Sequence, residues 1–383
     1  MGKHTFYEFF AGGGMARSGL GEGWRCLFAN DFDEKKAEAY RANWGTSEFY
    51  LGDIHKLSAK ELPGTADLAW ASFPCQDLSL AGNGAGLAGE RSGAFWGFWS
   101  LIDGLKKQKR PPKLLVIENV IGALTSNGGA DFVELCRALS SCGYLVGALT
   151  IDAVHFLPQS RPRLFIVCAL GSLSGTATIA QDKPSLPWHS TALVRAVALL
   201  PKVVRSKWRW WSLPLPAVHN MRLADLIEEN PSDVNWHTAV ETARLISLMS
   251  EVNLEKLEEA KRSGRREVGT IYRRTRVDET GQKVQRAEVR FDGVAGCLRT
   301  PGGGSSRQFI MVVDGERVRT RLLSAREAAR LMGLPDEYLL PERYNDAYHL
   351  LGDGLAAPAV RFLATEILSN LLKRSPVARI AAE

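Results

Sequence analysis

The feature that most constrains this chain is an alternation in its first 170 residues. Short apolar runs, each ending in glycine or a polar residue, alternate with helix-like stretches. Thr5 to Phe10 ends at Gly12-Gly13-Gly14, Arg25 to Ala29 at Asn30-Asp31, Asp67 to Ser72 at Phe73-Pro74-Cys75, and Leu114 to Ile117 at Glu118-Asn119. Leu145 to Ile151 and Arg163 to Ala169 follow, and helices are predicted between runs, for example over Asp33 to Asn43 and Phe132 to Ser140. Short buried strands separated by helices predict an α/β domain with a mostly parallel, doubly wound sheet covered on both faces. Ligands in such sheets bind beyond the carboxyl ends of the strands. Gly12, Asp31, Cys75 and Glu118 are therefore expected to converge on one cleft.

The pattern changes after residue 170. Gly171 to Ser185 is rich in small residues and reads as a linker. A less regular stretch follows, with Trp208, Trp210 and Trp211, then a basic segment with Lys261, Arg262, Arg265, Arg266, Arg273, Arg274 and Arg276 against the single acid Glu267. Order returns near Leu323. Ser324-Ala325-Arg326-Glu327 matches a capping box, in which serine and glutamate each satisfy a free backbone N–H, and the helix should end at Gly333, before Pro335. A last helix is predicted from about Pro358, with Phe362, Leu363, Ile367, Leu371 and Leu372 on one face. The expected organisation is one domain from residues 1–184 and 320–383, with a smaller, irregular domain, 185–319, inserted in it.

A chain of 383 residues accommodates two domains, and 45% hydrophobic with 23% charged residues excludes wholesale disorder. The net charge of +6 favours a polyanionic partner such as nucleic acid. Six scattered cysteines without a C-x-x-C pair argue against structural zinc and against a disulfide scaffold, and no metal is expected. Without an apolar signal core or a run of about 18 apolar residues, the expectation is a cytoplasmic protein, a monomer, with no membrane partner.

Four motifs carry chemistry. Glu8-Phe9-Phe10-Ala11-Gly12-Gly13-Gly14 is a strand and tight turn whose glycines admit a ligand close to the backbone. It is neither G-x-G-x-x-G nor a P-loop, which favours a nucleoside site whose ribose meets Asp31 and Asp53; the alternative is a plain turn with solvated acids. Phe73-Pro74-Cys75-Gln76 places a cysteine at a strand end, positioned for attack; the alternative is an inert buried thiol. Glu118-Asn119-Val120 ends a buried strand with a carboxyl that burial would keep protonated, as a general acid requires, unless it simply binds a helix start. Gln159-Ser160-Arg161-Pro162-Arg163 presents two arginines on one face of an extended segment, suited to an anion, a base oxygen or a thiolate, unless they form a solvated basic turn.

In this order the motifs resemble the DNA (cytosine-5)-methyltransferases, of the kind found in bacterial or phage restriction-modification systems. The resemblance covers roughly the first 170 and last 65 residues, adding Gly52-Asp53-Ile54, Arg321 to Met332 and Gly352 onward. It implies that Cys75 attacks carbon 6 of a flipped-out cytosine in duplex DNA, that Glu118 contacts ring nitrogen 3, and that Arg163, with Arg161 nearby, holds the base oxygen. It implies S-adenosyl-L-methionine as methyl donor, leaving S-adenosyl-L-homocysteine. That cofactor would be bound by Phe10, Ala11, Gly12, Gly14, Asp31, Phe32, Asp53, Ile54, Pro74 and Asp353. Gln76, Ser79 and Arg91 would lie in or beside a loop that closes over DNA, and the inserted domain would read sequence through Arg265, Arg266, Arg273 and Arg274. A restriction endonuclease acting on the same site is the implied partner.

The chain departs from the family pattern in three places. Gly12-Gly13-Gly14-Met15 replaces the usual Gly-x-Gly-Gly, Cys297-Leu298 stands where threonine and leucine are common, and Gly352-Asp353-Gly354-Leu355 replaces Gly-Asn-x-Val. The competing readings are a related transfer-RNA methyltransferase, which usually has a smaller second domain, and a catalytically inactive DNA-binding module.

Overall fold

The computed structural model describes residues 3–73, 93–171, 173, 176–300 and 307–373. Pro74, Cys75, Gln76, Ser79 and Arg91 lie outside the described residues. The chain forms two compact units, one from Met1–Asp152, Pro162–Pro216 and Ala359–Glu383, the other from Ala153–Arg161 and Ala217–Pro358.

The first unit is built on β1 (His4–Phe9), β2 (Trp24–Asp31), β3 (Phe49–Leu51), β4 (Leu68–Ala71), β5 (Leu114–Val120), β6 (Tyr144–Asp152) and β7 (Pro162–Leu170). They form one sheet in the order β3-β2-β1-β4-β5-β7-β6. Strands β1 to β5 pair in parallel, and β7 runs antiparallel to both β5 and β6. The mostly parallel, helix-covered sheet is the one the alternation predicted. Burial on both faces explains why β4 and the first half of β5 are continuously apolar. The accompanying helices are α1 (Met15–Leu20), α2 (Glu34–Trp44), α3 (Ala94–Lys107) and α4 (Ala130–Ser141). Helix α2 begins where Asp33 accepts from the backbone N–H groups of Lys35 and Lys36, at 2.9 and 3.1 Å.

Where the sequence reading drew boundaries at 184/185 and 319/320, packing divides the chain at 216/217 and 358/359. Residues up to 216 belong with the first unit because their tryptophans are part of its core. They include α5 (Thr176–Ile179), β8 (Ala180–Gln181), α6 (Thr191–Ala198), α7 (Lys202–Arg205) and β9 (Trp210–Trp211). Trp188 and Trp211 are fully buried, and the Trp211 indole N–H donates to Val167 O at 3.1 Å. Gly147 on β6 permits this approach, since a Cβ there would lie 2.2 Å from Arg209 O. The terminal helix starts at Ala357 and, through a π segment over Ala364–Leu368, reaches Leu372. Leu363, Ile367 and Leu371 on it are fully buried, as its periodicity required. The stretch Tyr344–Leu372 is long and apolar enough to cross a membrane, but 56% of its apolar window is buried in protein.

The second unit holds α8 (Leu223–Leu226), α9 (Ala239–Ile246), α10 (Glu251–Arg262), α11 (Ala325–Leu331) and α12 (Tyr344–Asp353). It also holds a regular antiparallel sheet of β10 (Glu267–Val277), β11 (Lys283–Arg290), β12 (Phe309–Asp314) and β13 (Arg317–Leu322), in the order β11-β10-β12-β13. Irregular structure was expected here. The sequence carries little sign of this sheet because β11 buries only Ala287 and Val289, among Lys283, Gln285, Arg286, Glu288 and Arg290. Ile271, Ala287, Val289, Met311 and Val313 form its core with Leu245 and Leu257 of the helices.

Candidate active site

The sheet register brings the motif starts into one row. Phe9 pairs with Asn30 and Ala71, and Ala71 pairs with Ile117. The next residues along these parallel strands are Phe10, Asp31, Ser72 and Glu118, all at the carboxyl edge. The convergence expected of Gly12, Asp31 and Glu118 is thus set by strand register; Cys75, three residues beyond Ser72, is outside the described residues.

The glycine turn is tied to β2. Ala11 N donates to Asn30 O at 2.9 Å, Gly14 N to Ala11 O at 2.8 Å, and Gly12 N to the Asp31 carboxylate at 2.8 Å. Gly14 has φ +77°, and a Cβ there would lie 2.3 Å from Trp44 Nε1; that indole in turn donates to Gly13 O at 3.0 Å. Only glycine fits. The first helical N–H groups of α1 have no side-chain cap from Gly14. The Glu8 carboxyl of β1 lies close to the backbone N–H groups of Ala16 and Arg17 at that helix start. Glu8 is fully buried, and desolvation pushes its carboxyl up to about 8, against the opposing pull of Arg17 and those N–H groups.

Asp31 is nearly buried, which raises its pKa above the usual aspartate value. Its second oxygen accepts from Asp33 N at 2.9 Å, so it fixes both the glycine turn and the start of α2. Asn30, which the sequence reading passed over as a site residue, donates to Tyr50 O at 3.1 Å and Gly52 O at 2.8 Å, and Gly52 N donates to Asp31 O at 2.9 Å. This holds Asp53 exposed beside buried Ile54, with Asp53 accepting from His55 N at 2.9 Å. Phe32 leaves 67% of its surface exposed. Phe10 has φ +57° and meets Phe73 edge-on, with ring centroids 6.4 Å apart.

These residues fit an adenosyl group. Among the described residues a Cβ built on Gly12 meets nothing within 4 Å, an aromatic ring is exposed beside a fixed carboxylate, and Asp53 faces solvent. The same edge carries an ion pair. On antiparallel β5 and β7, Val120 lies opposite Arg163, and Arg163 Nε reaches Glu118 Oε1 at 3.2 Å with the two side chains only 14% and 10% exposed. The guanidinium compensates a carboxylate charge that burial alone would disfavour.

Arg161 is held differently. It is 2% exposed and donates to Leu298 O at 3.0 Å, Gly352 O at 2.8 Å and Gly354 O at 2.6 Å, with Cys297 Sγ at 3.4 Å. These bonds make it a clamp inside the second unit, tying the segment after β11 to the end of α12. Its neighbour Gln159 donates to Leu331 O at 2.6 Å. Two of the three departures from the family pattern, Cys297 and Asp353, meet this clamp region: Thr300 Oγ1 donates to Asp353 Oδ1 at 2.8 Å.

The basic segment is a strand and its approach. Arg265 pairs with Glu267 at 3.5 Å, Arg266 with Glu229 at 3.2 Å and Arg274 with Glu288 at 3.2 Å, while Arg273 lies over the Phe309 ring at 5.3 Å. All four are exposed or partly exposed.

A mostly parallel seven-stranded sheet of this order is the fold of the S-adenosylmethionine-dependent methyltransferases. The family model for C-5 cytosine-specific DNA methylase matches residues 4–369, and the chain belongs to that family. Its activity class is DNA (cytosine-5-)-methyltransferase. The type II methyltransferase M.BsuFI of Bacillus subtilis is 36% identical over 167 residues, 43% of this chain and 39% of that one. The type II methyltransferase M.HpaII of Haemophilus parainfluenzae is 26% identical over 96% of this chain and 90% of its own. The solved Entamoeba histolytica methyltransferase EhMeth matches with a TM-score of 0.64 at 14% identity, covering 98% of this chain and all of that one, and shares the fold.

Proposed function

We propose that the protein methylates carbon 5 of cytosine within a specific sequence of duplex DNA, through a covalent adduct on Cys75. The observation that carries this reading is the Glu118–Arg163 pair at 3.2 Å on the edge that also carries Gly12 and Asp31. Carbon 5 is a poor nucleophile. Addition of the Cys75 thiolate at carbon 6 makes it electron-rich. Glu118 steadies ring nitrogen 3 with a proton or hydrogen bond, and Arg163 binds the base oxygen, so charge that develops on the ring is met at two points. The bound S-adenosyl-L-methionine supplies an electrophilic methyl group. Loss of the carbon 5 proton then re-forms the double bond and expels Cys75. The base must leave the duplex stack, at a cost of about a few kcal/mol.

Phe10, Ala11, Gly12, Gly14, Phe32, Ile54 and Pro74 would enclose the adenosine, with Asp31 and Asp53 toward the ribose. Arg161 contributes by holding the Gly352–Gly354 turn. Within the second unit, residues 217–319 serve target recognition. Arg265, Arg266, Arg273 and Arg274 would exchange carboxylate or ring partners for phosphate or guanine, and Gln76, Ser79 and Arg91 would contact DNA near the flipped base. We place the enzyme in the cytoplasm as a monomer, paired with an endonuclease of the same specificity.

The test is tritium transfer from labelled S-adenosyl-L-methionine to mixed-sequence duplex DNA, beside a 5-fluorocytosine duplex whose fluorine cannot leave as the proton does. Incorporation with a trapped adduct on Cys75, absent in Cys75→Ala, is expected. Transfer to transfer RNA only would overturn the substrate. Transfer that survives Cys75→Ala would overturn the mechanism. Cofactor binding without any transfer would indicate an inactive binder.

A further inference from the structure

The first unit contains a cavity that methyl transfer does not use. It has a volume of about 630 Å³, opens to solvent, and is framed by β8, α6 and the turn from α7 into β9. Trp208 and Trp210, Arg205 and Arg209, Asp182 and Ala198 are in its lining. A cavity of this size takes a ligand of nucleotide dimensions.

The aromatic wall is fixed by its neighbours. Trp208 is 6% exposed and meets Phe132 edge-on at 6.1 Å and Trp210 at 5.4 Å between centroids, and His189 packs edge-on against Trp210 at 4.9 Å. The Trp210 ring is therefore held in place at the cavity wall while remaining partly exposed. Arg209 donates to Ser206 O at 3.2 Å and Trp208 O at 2.7 Å, and Arg205 to Leu200 O at 2.8 Å and to Ala198 O. These carbonyls orient the guanidinium groups without neutralising them. Among the described residues neither arginine meets a carboxylate, so each keeps charge and N–H groups for an anion.

We propose that this cavity is a second, non-catalytic site for a nucleotide. The base lies against Trp210, as bases stack on aromatic side chains. Arg205 and Arg209 hold the phosphate, and Asp182 accepts from an amino or hydroxyl group. A free mononucleotide and an unpaired nucleotide within a DNA strand share this chemistry.

The experiment titrates the whole protein, saturated with S-adenosyl-L-homocysteine, with 2-aminopurine riboside 5′-monophosphate and, separately, with a short single strand carrying 2-aminopurine. Stacking quenches the fluorescence. Ala198→Trp fills the cavity from an exposed position, and Arg209→Ala removes one phosphate ligand. Saturable quenching is expected with wild type, weakened about tenfold or more in both variants, while methyl transfer to duplex DNA is unchanged. Quenching by the mononucleotide assigns a free nucleotide, and quenching by the strand alone assigns an unpaired base. No saturable quenching by either probe, or quenching undiminished in Ala198→Trp, overturns the proposal.

Discussion

Glu8 and Glu118 are both buried carboxylates at strand ends, and their partners give them different properties. Glu118 has a guanidinium at 3.2 Å. Glu8 is lifted by burial from 4.5 to about 8, because the Arg17 charge and the nearby backbone N–H groups offset only part of the desolvation. Between those values the folded chain binds a proton at Glu8 that the unfolded chain has released. Stability from this residue therefore falls as pH rises from about 4.5 and levels off above about 8. Glu8→Gln keeps an oxygen for the α1 backbone but does not titrate. Its thermal midpoint is expected to decline less than wild type between about pH 5 and about pH 8; parallel declines would show that Glu8 is not the group responsible. The sequence placed both glutamates at strand ends. It could not tell them apart, because the difference lies in which residue the neighbouring strand or helix brings alongside.

At the scale of elements, helix α11 shows how a legible local signal is embedded in an illegible network. The capping box was readable: Ser324 Oγ accepts from Glu327 N at 3.1 Å and Glu327 accepts from Ser324 N at 2.8 Å. The same glutamate also closes a fully buried ion pair with Arg321 at 2.6 Å, and accepts from Glu228 N at 2.7 Å. Trp236 lies against the Arg321 guanidinium at 4.8 Å. Spacing cannot reveal this, since Glu228 and Trp236 come from distant sequence. Arg321→Met should cost about 3–5 kcal/mol by stranding a buried carboxylate, and adding Glu327→Gln should recover part of the loss. Urea unfolding of the two variants and the single Glu327→Gln checks this; purely additive losses would mean the pair is not coupled.

For the molecule as a whole, the chain passes from the first unit to the second and back within ten residues, at Ala153–Arg161, before β7 begins. Arg161 closes that excursion with bonds to three main-chain carbonyls of the second unit. Arg161→Met should destabilise the second unit by more than about 3 kcal/mol, because those buried acceptors lose their donor. Arg161→Lys should recover little, since a point-charge ammonium cannot span them. Hydrogen exchange over residues 297–300 and 352–354 would report it; protection equal to wild type would remove Arg161 as the clamp.

The sequence by itself determined the parallel sheet, the strand-end motifs and the family, because buried parallel strands and glycine turns impose local residue patterns that survive without their surroundings. The sheet then aligned those strand ends, pairing Phe9 with Asn30 and Ala71, and Ala71 with Ile117. Tertiary structure alone decided the rest: that Arg163 meets Glu118 while Arg161, two residues away, clamps backbone, and that the Trp208–Trp211 segment belongs to the first unit's core. Those outcomes depend on which distant groups arrive within hydrogen-bond reach, and neither spacing nor composition encodes that.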